Sequence, residues 1–302
     1  MARPVILLLG ANGQVGSALR RTLPEMGSVV ALGVPEADFS QPESLREIIR
    51  IQRPNIIVNA AAYTAVDKAE NESTRAFVIN ADAPGVLAEE AEALGACLVH
   101  FSTDYVFDGR KSSPYVETDA TWPLSIYGRS KLLGEEAIQV CRKHLTFRTS
   151  WVISTHGQNF VKTILRLAGE RDILRVVSDQ FGAPTSASLL ASTTVKIMLQ
   201  MAERPADDAR WGLYHLVAAG ETSWHGLACH VIARATAMGL SLKTQKESVM
   251  PITTAEYPTP AARPANSRLS TSKLCSTFSL ALPDWTRGVN EVLDRLIPTM
   301  LT

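Results

Sequence analysis

Five short runs of Val, Ile and Leu, at Val5–Leu9, Val29–Leu32, Ile56–Asn59, Leu98–Ser102 and Leu145–Trp151, punctuate the first half of the chain. Each is apolar at consecutive positions rather than at alternate ones, the pattern of strands covered on both faces by helices. Stretches with helical spacing separate them, so the alternation predicts an α/β fold with a doubly wound, Rossmann-like parallel sheet. One helix is announced by Ser40-Gln41-Pro42-Glu43, which offers a capping Ser, a Pro near the first turn and a Glu three residues after the Ser. Beyond about residue 150 the pattern loosens. Helices are expected at Phe160–Ala168 and Ala187–Met201, strands at Leu174–Val177 and Leu213–Val217, and a polar surface loop at Glu203–Arg210. Prolines at 251, 258, 260, 264, 283 and 298 make much of the last fifty residues loop, with one helix at Thr286–Leu296. The expected division is a sheet domain over residues 1–150, with later contributions from about 174–217, and a smaller lobe over 151–302.

Composition narrows the range of functions. The chain has 302 residues, 30 basic against 30 acidic, so no electrostatic footprint for nucleic acid or an anionic membrane is present. Cys97, Cys141, Cys229 and Cys275 lie far apart and read as reduced thiols. The six histidines, at 100, 144, 156, 215, 225 and 230, form no HxH or HExxH arrangement, and no metal is expected. The run at Val5–Leu9 is too short for a signal-peptide core, which makes the cytoplasm the expected location.

Candidate chemistry begins at Gly10-Ala11-Asn12-Gly13-Gln14-Val15-Gly16, between the first strand and a helix. Gly10 allows a tight turn, Gly13 lets backbone amides reach a pyrophosphate, and Gly16 lets helix and strand pack closely, with the helix N-terminus facing the anion. Residues 1–150 are therefore read as a dinucleotide-binding domain and the later lobe as mainly substrate-binding. An acid selecting NAD should stand just past the second strand, where the chain has Leu32, Gly33 and Val34. Asp38, followed by Phe39, is the nearest acid suited to the adenosine end, so NADPH or NADH is expected to serve. The third run ends in Asn59-Ala60-Ala61-Ala62, small side chains beside which a cofactor can lie.

Tyr127 and Lys131, four residues apart in a helical stretch, share one face. An ammonium about 4 Å from a phenol is worth ~4 kcal/mol at an effective dielectric near 20, nearly three pKa units, and would draw the tyrosine towards neutrality. Such a tyrosine can protonate a carbonyl oxygen as hydride reaches its carbon. Thr103, at the end of the fourth run, is placed to hold that carbonyl.

The glycine loop, the small-residue strand end, the Ser/Thr strand end and YxxxK, in this order, resemble extended short-chain dehydrogenases/reductases acting on nucleotide sugars. Tyr63-Thr64-Ala65-Val66-Asp67-Lys68-Ala69-Glu70, Ser102 to Gly109, Asp179-Gln180-Phe181-Gly182-Ala183-Pro184-Thr185 and Arg263-Pro264-Ala265-Asn266-Ser267 sharpen the likeness to the dTDP-4-dehydrorhamnose reductase family. The resemblance implies reduction of dTDP-6-deoxy-L-lyxo-4-hexulose at C4 to dTDP-L-rhamnose, with Thr103, Tyr127 and Lys131 as catalytic residues. It puts Asp104, Tyr105 and Trp151 by the sugar ring, Arg263 on the diphosphate, and Asn159, Phe160, Asn266 and Ser267 in the nucleotide pocket. Asp67, Lys68 and Glu70 stay open between structural and substrate-adjacent roles. Ile153 and Ala265 depart from the family pattern. Ala18 and Ser188 stand where some members carry magnesium-binding carboxylates, so a homodimer, if formed, is expected without a metal bridge. Two rivals remain: another nucleotide-sugar 4-ketoreductase, epimerase or dehydratase of the superfamily, and a non-catalytic nucleotide-binding regulatory subunit. Thr103 is followed by Asp104 and Tyr105 rather than by the Asp-Glu of dehydratases, and the Thr103, Tyr127, Lys131 set is intact.

Overall fold

Strand residues one apart feed opposite layers of the molecule. Ile6 and Leu8 pack with Leu19, Leu190 and Ile197 on one face, while Leu7 and Leu9 pack with Leu45, Ile49 and Leu87 on the other. This is the period-two geometry of a strand applied to a run with no polar member. Roughly 1.5–3 kcal/mol attaches to each fully buried aliphatic side chain. These rows therefore hold the sheet, and exposed pairs such as Arg166–Glu170 add about 0–1 kcal/mol.

The structure, a computed structural model, describes residues 3–301. Its strands are β1 (Val5–Leu9), β2 (Ser28–Leu32), β3 (Ile56–Asn59), β4 (Cys97–Thr103), β5 (His144–Thr149), β6 (Val152–Ile153), β7 (Leu174–Val177), β8 (Phe181–Gly182), β9 (Thr185–Ser186), β10 (Gly212–His215), β11 (Thr222–Ser223) and β12 (Val249–Ile252). Helices α1 (Gln14–Thr22), α2 (Pro42–Gln52), α3 (Val66–Ala69) and α4 (Ser73–Phe77) lead through a π-helical turn at Val78–Asp82 into α5 (Ala83–Leu94). Then come α6 (Ile126–Ile138), α7 (Phe160–Glu170), α8 (Ala187–Met201), α9 (Trp224–Ala237), α10 (Ser272–Phe278), α11 (Trp285–Leu296) and α12 (Pro298–Leu301).

The main sheet is parallel throughout, in the order β2-β1-β3-β4-β5-β10. The order reverses between β1 and β3, and the crevice beyond those two strand ends is where open α/β sheets bind ligands. Of the stretch 174–217, α8 and β10 join the sheet layers, whereas β7 pairs with β12 and packs with α7, α9 and α11 around Val161, Leu165, Leu227, Val231 and Leu293. Among the described residues no helix is long and apolar enough to cross a membrane.

Two local expectations are corrected. Ser40 does not cap α2: Gln41 holds the cap position without a side-chain bond, and Ser40 N and Oγ donate to Asp38 Oδ1 at 2.8 and 2.7 Å. A carboxylate two residues away competes successfully for the hydroxyl. The fifth strand stops at Thr149, because Trp151 takes a left-handed φ of 46° that breaks the ladder.

Candidate active site

Gly10 leaves β1 with a φ of +76°, and a Cβ there would stand 2.5 Å from Ala61 N at the end of β3. A Cβ on Gly16 would stand 2.0 Å from Gly10 O. The turn closes only with hydrogen at both positions. Gly13 is the N-cap of α1 and no side chain caps the helix, so the end of its dipole faces the crevice between β1 and β3. An uncapped helix end from which side chains are sterically excluded fits a nucleotide pyrophosphate. Gln14 is held by the segment leading into α7, its Oε1 accepting from Ser154 Oγ and Asn159 Nδ2, each at 3.0 Å. The Asn12 carbonyl lies 2.9 Å from His156 Nε2, and its amide covers Gly33, where a Cβ would come within 2.3 Å of Nδ2. The place where an acid could bind a ribose 2′-hydroxyl is thus filled by an amide.

At the C-terminal end of β4, Thr103 Oγ1 donates to Asp104 Oδ1 at 3.0 Å and accepts from Tyr105 N at 3.2 Å. The Thr103 hydroxyl lies near enough to the Tyr127 phenol to act on its acidity, and the Tyr105 and Tyr127 rings meet edge to face with centroids 5.5 Å apart. Tyr127 opens α6, which starts where Ser125 Oγ accepts from Gly128 N and Glu70 Oε1 accepts from Ile126 N. Burial pushes the Asp104 carboxyl up to about 6, opposed by hydroxyls of Ser267 and Thr103.

The expected acidification of Tyr127 by Lys131 is not what the structure holds. Burial raises the phenol to about 12, the Thr103 hydroxyl pulls it down and the Asp104 charge pushes it up, while Lys131 is not among its influences. The lysine turns instead into the sheet, where Nζ donates to Phe101 O at 2.7 Å and meets His100 Nε2 at 3.2 Å. Burial lowers Lys131 to about 8, with Glu135 one turn along α6 opposing. A buried amino group gains more from donating to a buried carbonyl than from reaching toward a neutral phenol.

A cavity of about 740 Å³ opens beside α7 and β7, lined among others by Asp67, Phe160, Gln180, Trp224, Tyr257 and Arg263. Asp67 Oδ2 and Arg263 Nη2 pair at 2.8 Å, and their charges act on the Tyr105 phenol, although Tyr105 and Tyr127 do not themselves line the cavity. Trp151 stacks on Trp224 with centroids 3.5 Å apart, and Gly182 has no side chain because a Cβ would lie 2.7 Å from the Trp151 ring.

The residues singled out in the sequence therefore divide. Thr103, Asp104, Tyr105 and Tyr127 come together, with Ser267 beside them, and Phe160 and Arg263 line the cavity. Phe39 is core, 5% exposed among Leu7, Leu45 and Ile57, and Asp38 is engaged by Ser40. Asn159 caps α7 and grips Gln14 rather than lining the cavity. Asn266 spends its amide on Lys111 O, Ser113 O and the Arg268 guanidinium, so it braces loops. Glu70 anchors α6, Asp67 belongs to the cavity, and Lys68 is exposed. Sequence reasoning missed His100, Glu135, Arg148 and Trp224. The available signal was a charged or polar side chain inside an apolar run, as at His100 and Arg148. Among the described residues no group of three or more His, Cys, Asp or Glu could hold a metal ion.

Comparison with known proteins agrees with this geometry. A family model described as the RmlD substrate binding domain matches residues 4–297. The dTDP-4-dehydrorhamnose reductases of Shigella flexneri and Escherichia coli K12 are each 50% identical over 299 residues, covering 97% of this chain and 98% of theirs. The crystal structure of dTDP-4-dehydrorhamnose reductase from Bacillus anthracis in complex with NADP has a TM-score of 0.87 at 33% identity, covering 98% of this chain and 100% of that one. A match over 97% of the chain at this identity, joined to the glycine loop and the cluster of Thr103, Tyr105 and Tyr127, shows that the chain belongs to the dTDP-4-dehydrorhamnose reductase family.

Proposed function

We propose that this chain reduces the C4 ketone of dTDP-6-deoxy-L-lyxo-4-hexulose to dTDP-L-rhamnose with NADPH or NADH. The observation that carries the reading is the cluster at the C-terminal end of β4, where Thr103 bonds Asp104 and Tyr105 and the Tyr105 ring meets that of Tyr127. The uncapped start of α1, from Asn12 to Gly16, would hold the cofactor pyrophosphate, and Ala60, Ala61 and Ala62 leave room for it along β3. When bound, the reduced nicotinamide supplies hydride to C4.

Tyr127 delivers the proton to the C4 oxygen. A phenol raised to about 12 stays protonated at neutral pH and so enters the reaction loaded. Thr103 donates to the same oxygen once its hydrogen leaves Asp104, and Lys131 holds the nicotinamide ribose after turning out from Phe101 O. Asp104, Tyr105, Trp151 and Ser267 shape the sugar site. Arg263, a fork-shaped donor, exchanges Asp67 for the diphosphate, and the nucleoside occupies the cavity beside Phe160 and Trp224. The reading is consistent with a cytoplasmic enzyme that has no nucleic-acid or membrane partner. The test is consumption of NADPH or NADH on addition of the 4-keto sugar nucleotide. Tyr127→Phe is expected to lose 10²–10⁴-fold in rate, on the order usual for general acid catalysis, while still binding cofactor. Undiminished turnover by Tyr127→Phe overturns the proton-donor assignment.

A further inference from the structure

Behind the crevice a chain of buried polar groups runs from the backbone of β3 to the lysine of α6. Ala61 N donates to Asn59 Oδ1 at 3.0 Å, Asn59 Nδ2 meets His100 Nδ1 at 3.0 Å, and His100 Nε2 meets Lys131 Nζ at 3.2 Å. Asn59, His100 and Lys131 are each at most 1% exposed, so no solvent intervenes.

The direction of this chain is settled at its first link. A backbone N–H only donates, so Asn59 must present its oxygen to Ala61 and its NH₂ to His100. The amide then requires a lone pair on Nδ1, which leaves the neutral imidazole with its hydrogen on Nε2, pointing at Lys131. An ammonium has no lone pair to accept it, whereas a neutral amine accepts from Nε2–H and still donates to Phe101 O. We propose that His100, locked in its Nε2–H tautomer by Asn59, is a positioning residue that holds Lys131 inward as an uncharged amine in the cofactor-free protein at mildly alkaline pH. The lysine takes a proton from solvent when the bound nucleotide draws it outward.

The ionisable groups facing this chain do not upset the assignment. Glu135 lies one turn along α6 and is engaged by Arg148 of β5, while His144 of β5 and Lys131 itself oppose a charge on His100. From β3 only the Asn59 amide faces the ring. Burial holds His100 well below the usual imidazole range, as a neutral ring requires.

The inference rests on the proposed role of Lys131 at the nicotinamide ribose, but its first test needs neither cofactor nor turnover, so the two can fail separately. In ¹⁵N-histidine-labelled cofactor-free protein, with His100 assigned by its loss in His100→Gln, the Nε2–H tautomer is expected; an Nδ1–H tautomer overturns the proposal. The second test is calorimetry of NADP⁺ binding at pH 9 in buffers of different ionisation heat. Wild type is expected to take up close to one proton per site. Asn59→Asp can accept from both Ala61 N–H and His100 Nδ1–H, which inverts the chain and gives the ammonium a partner, so its uptake is expected near zero. No uptake by wild type, or equal uptake by both, overturns the proposal.

Discussion

The Arg148 guanidinium and the Glu135 carboxylate form a buried ion pair between β5 and α6, Nη2 to Oε2 2.7 Å, with side chains 4% and 7% exposed. Ser102 Oγ on β4 bonds the same carboxylate, and the guanidinium lies over the Phe107 ring at 5.0 Å from its centroid. The pair thus ties α6, which carries Tyr127 and Lys131, to β5, and Ser102 extends the tie to β4, the strand that carries Thr103. Removing one partner of a buried pair strands the other charge, so Arg148→Met is expected to cost about 3–5 kcal/mol. The double variant Arg148→Met/Glu135→Leu should recover most of that loss. Denaturant titration checks both, and a double variant no more stable than the single would contradict the account.

Thr103→Val keeps the shape of the side chain and removes its only polar atom. Because that hydroxyl bonds Asp104 and acts on the Tyr127 phenol, kcat is expected to fall on the order of 10²-fold, the scale for losing a donor aimed at developing oxyanion charge. Steady-state kinetics should show KM for the sugar nucleotide within a few-fold of wild type. A change confined to KM would make Thr103 a binding residue only.

Asp104 predicts a pH dependence of stability. Its carboxyl is raised by burial from 3.8 to about 6 in the folded protein, so the folded state holds the proton more tightly than the unfolded chain does. The stabilising contribution of the protonated acid is complete below about pH 4 and is lost as pH rises through 6. Asp104→Asn, neutral at every pH, should gain on wild type by up to about 3 kcal/mol between pH 4 and pH 7. Paired thermal melts across that range measure the gain, and a constant difference would refute it.

Two glycine substitutions should part company. In Gly16→Ala the new Cβ meets Gly10 O at 2.0 Å, backbone against backbone, and the glycine turn must open. NADPH affinity is expected to drop more than tenfold together with the melting temperature. Gly169→Ala in α7 meets nothing within 4 Å and should be neutral or stabilising by up to about 1 kcal/mol. Equal behaviour of the two variants in fluorescence titration and melting would remove the steric argument.

Much of the site was legible because it lies along short stretches of chain. The run Val5–Leu9 followed by Gly10, Gly13 and Gly16 carries its own sterics, and the spacing of Tyr127 and Lys131 places both on α6. The direction of the Lys131 side chain was not legible. It follows from Phe101 O and His100, thirty residues back, and on a desolvation cost that no spacing reveals. Phe39 follows Asp38, the acid expected at the adenosine end, yet the layer formed by α2 and β1 buries it.

What this amino-acid order determined by itself is local: consecutive apolar residues that can only be covered strands, glycines where a Cβ cannot fit, and four-residue helical spacing. Sequence similarity extended that reading to the family. Tertiary structure alone decided the Asp67–Arg263 pair across 196 positions, the Trp151–Trp224 stack and the line from Ala61 through Asn59 and His100 to Lys131. The physical reason is range. Periodicity and sterics act over a few residues, whereas burial, ion pairing and hydrogen-bond direction depend on which distant segments the sheet order β2-β1-β3-β4-β5-β10 brings face to face.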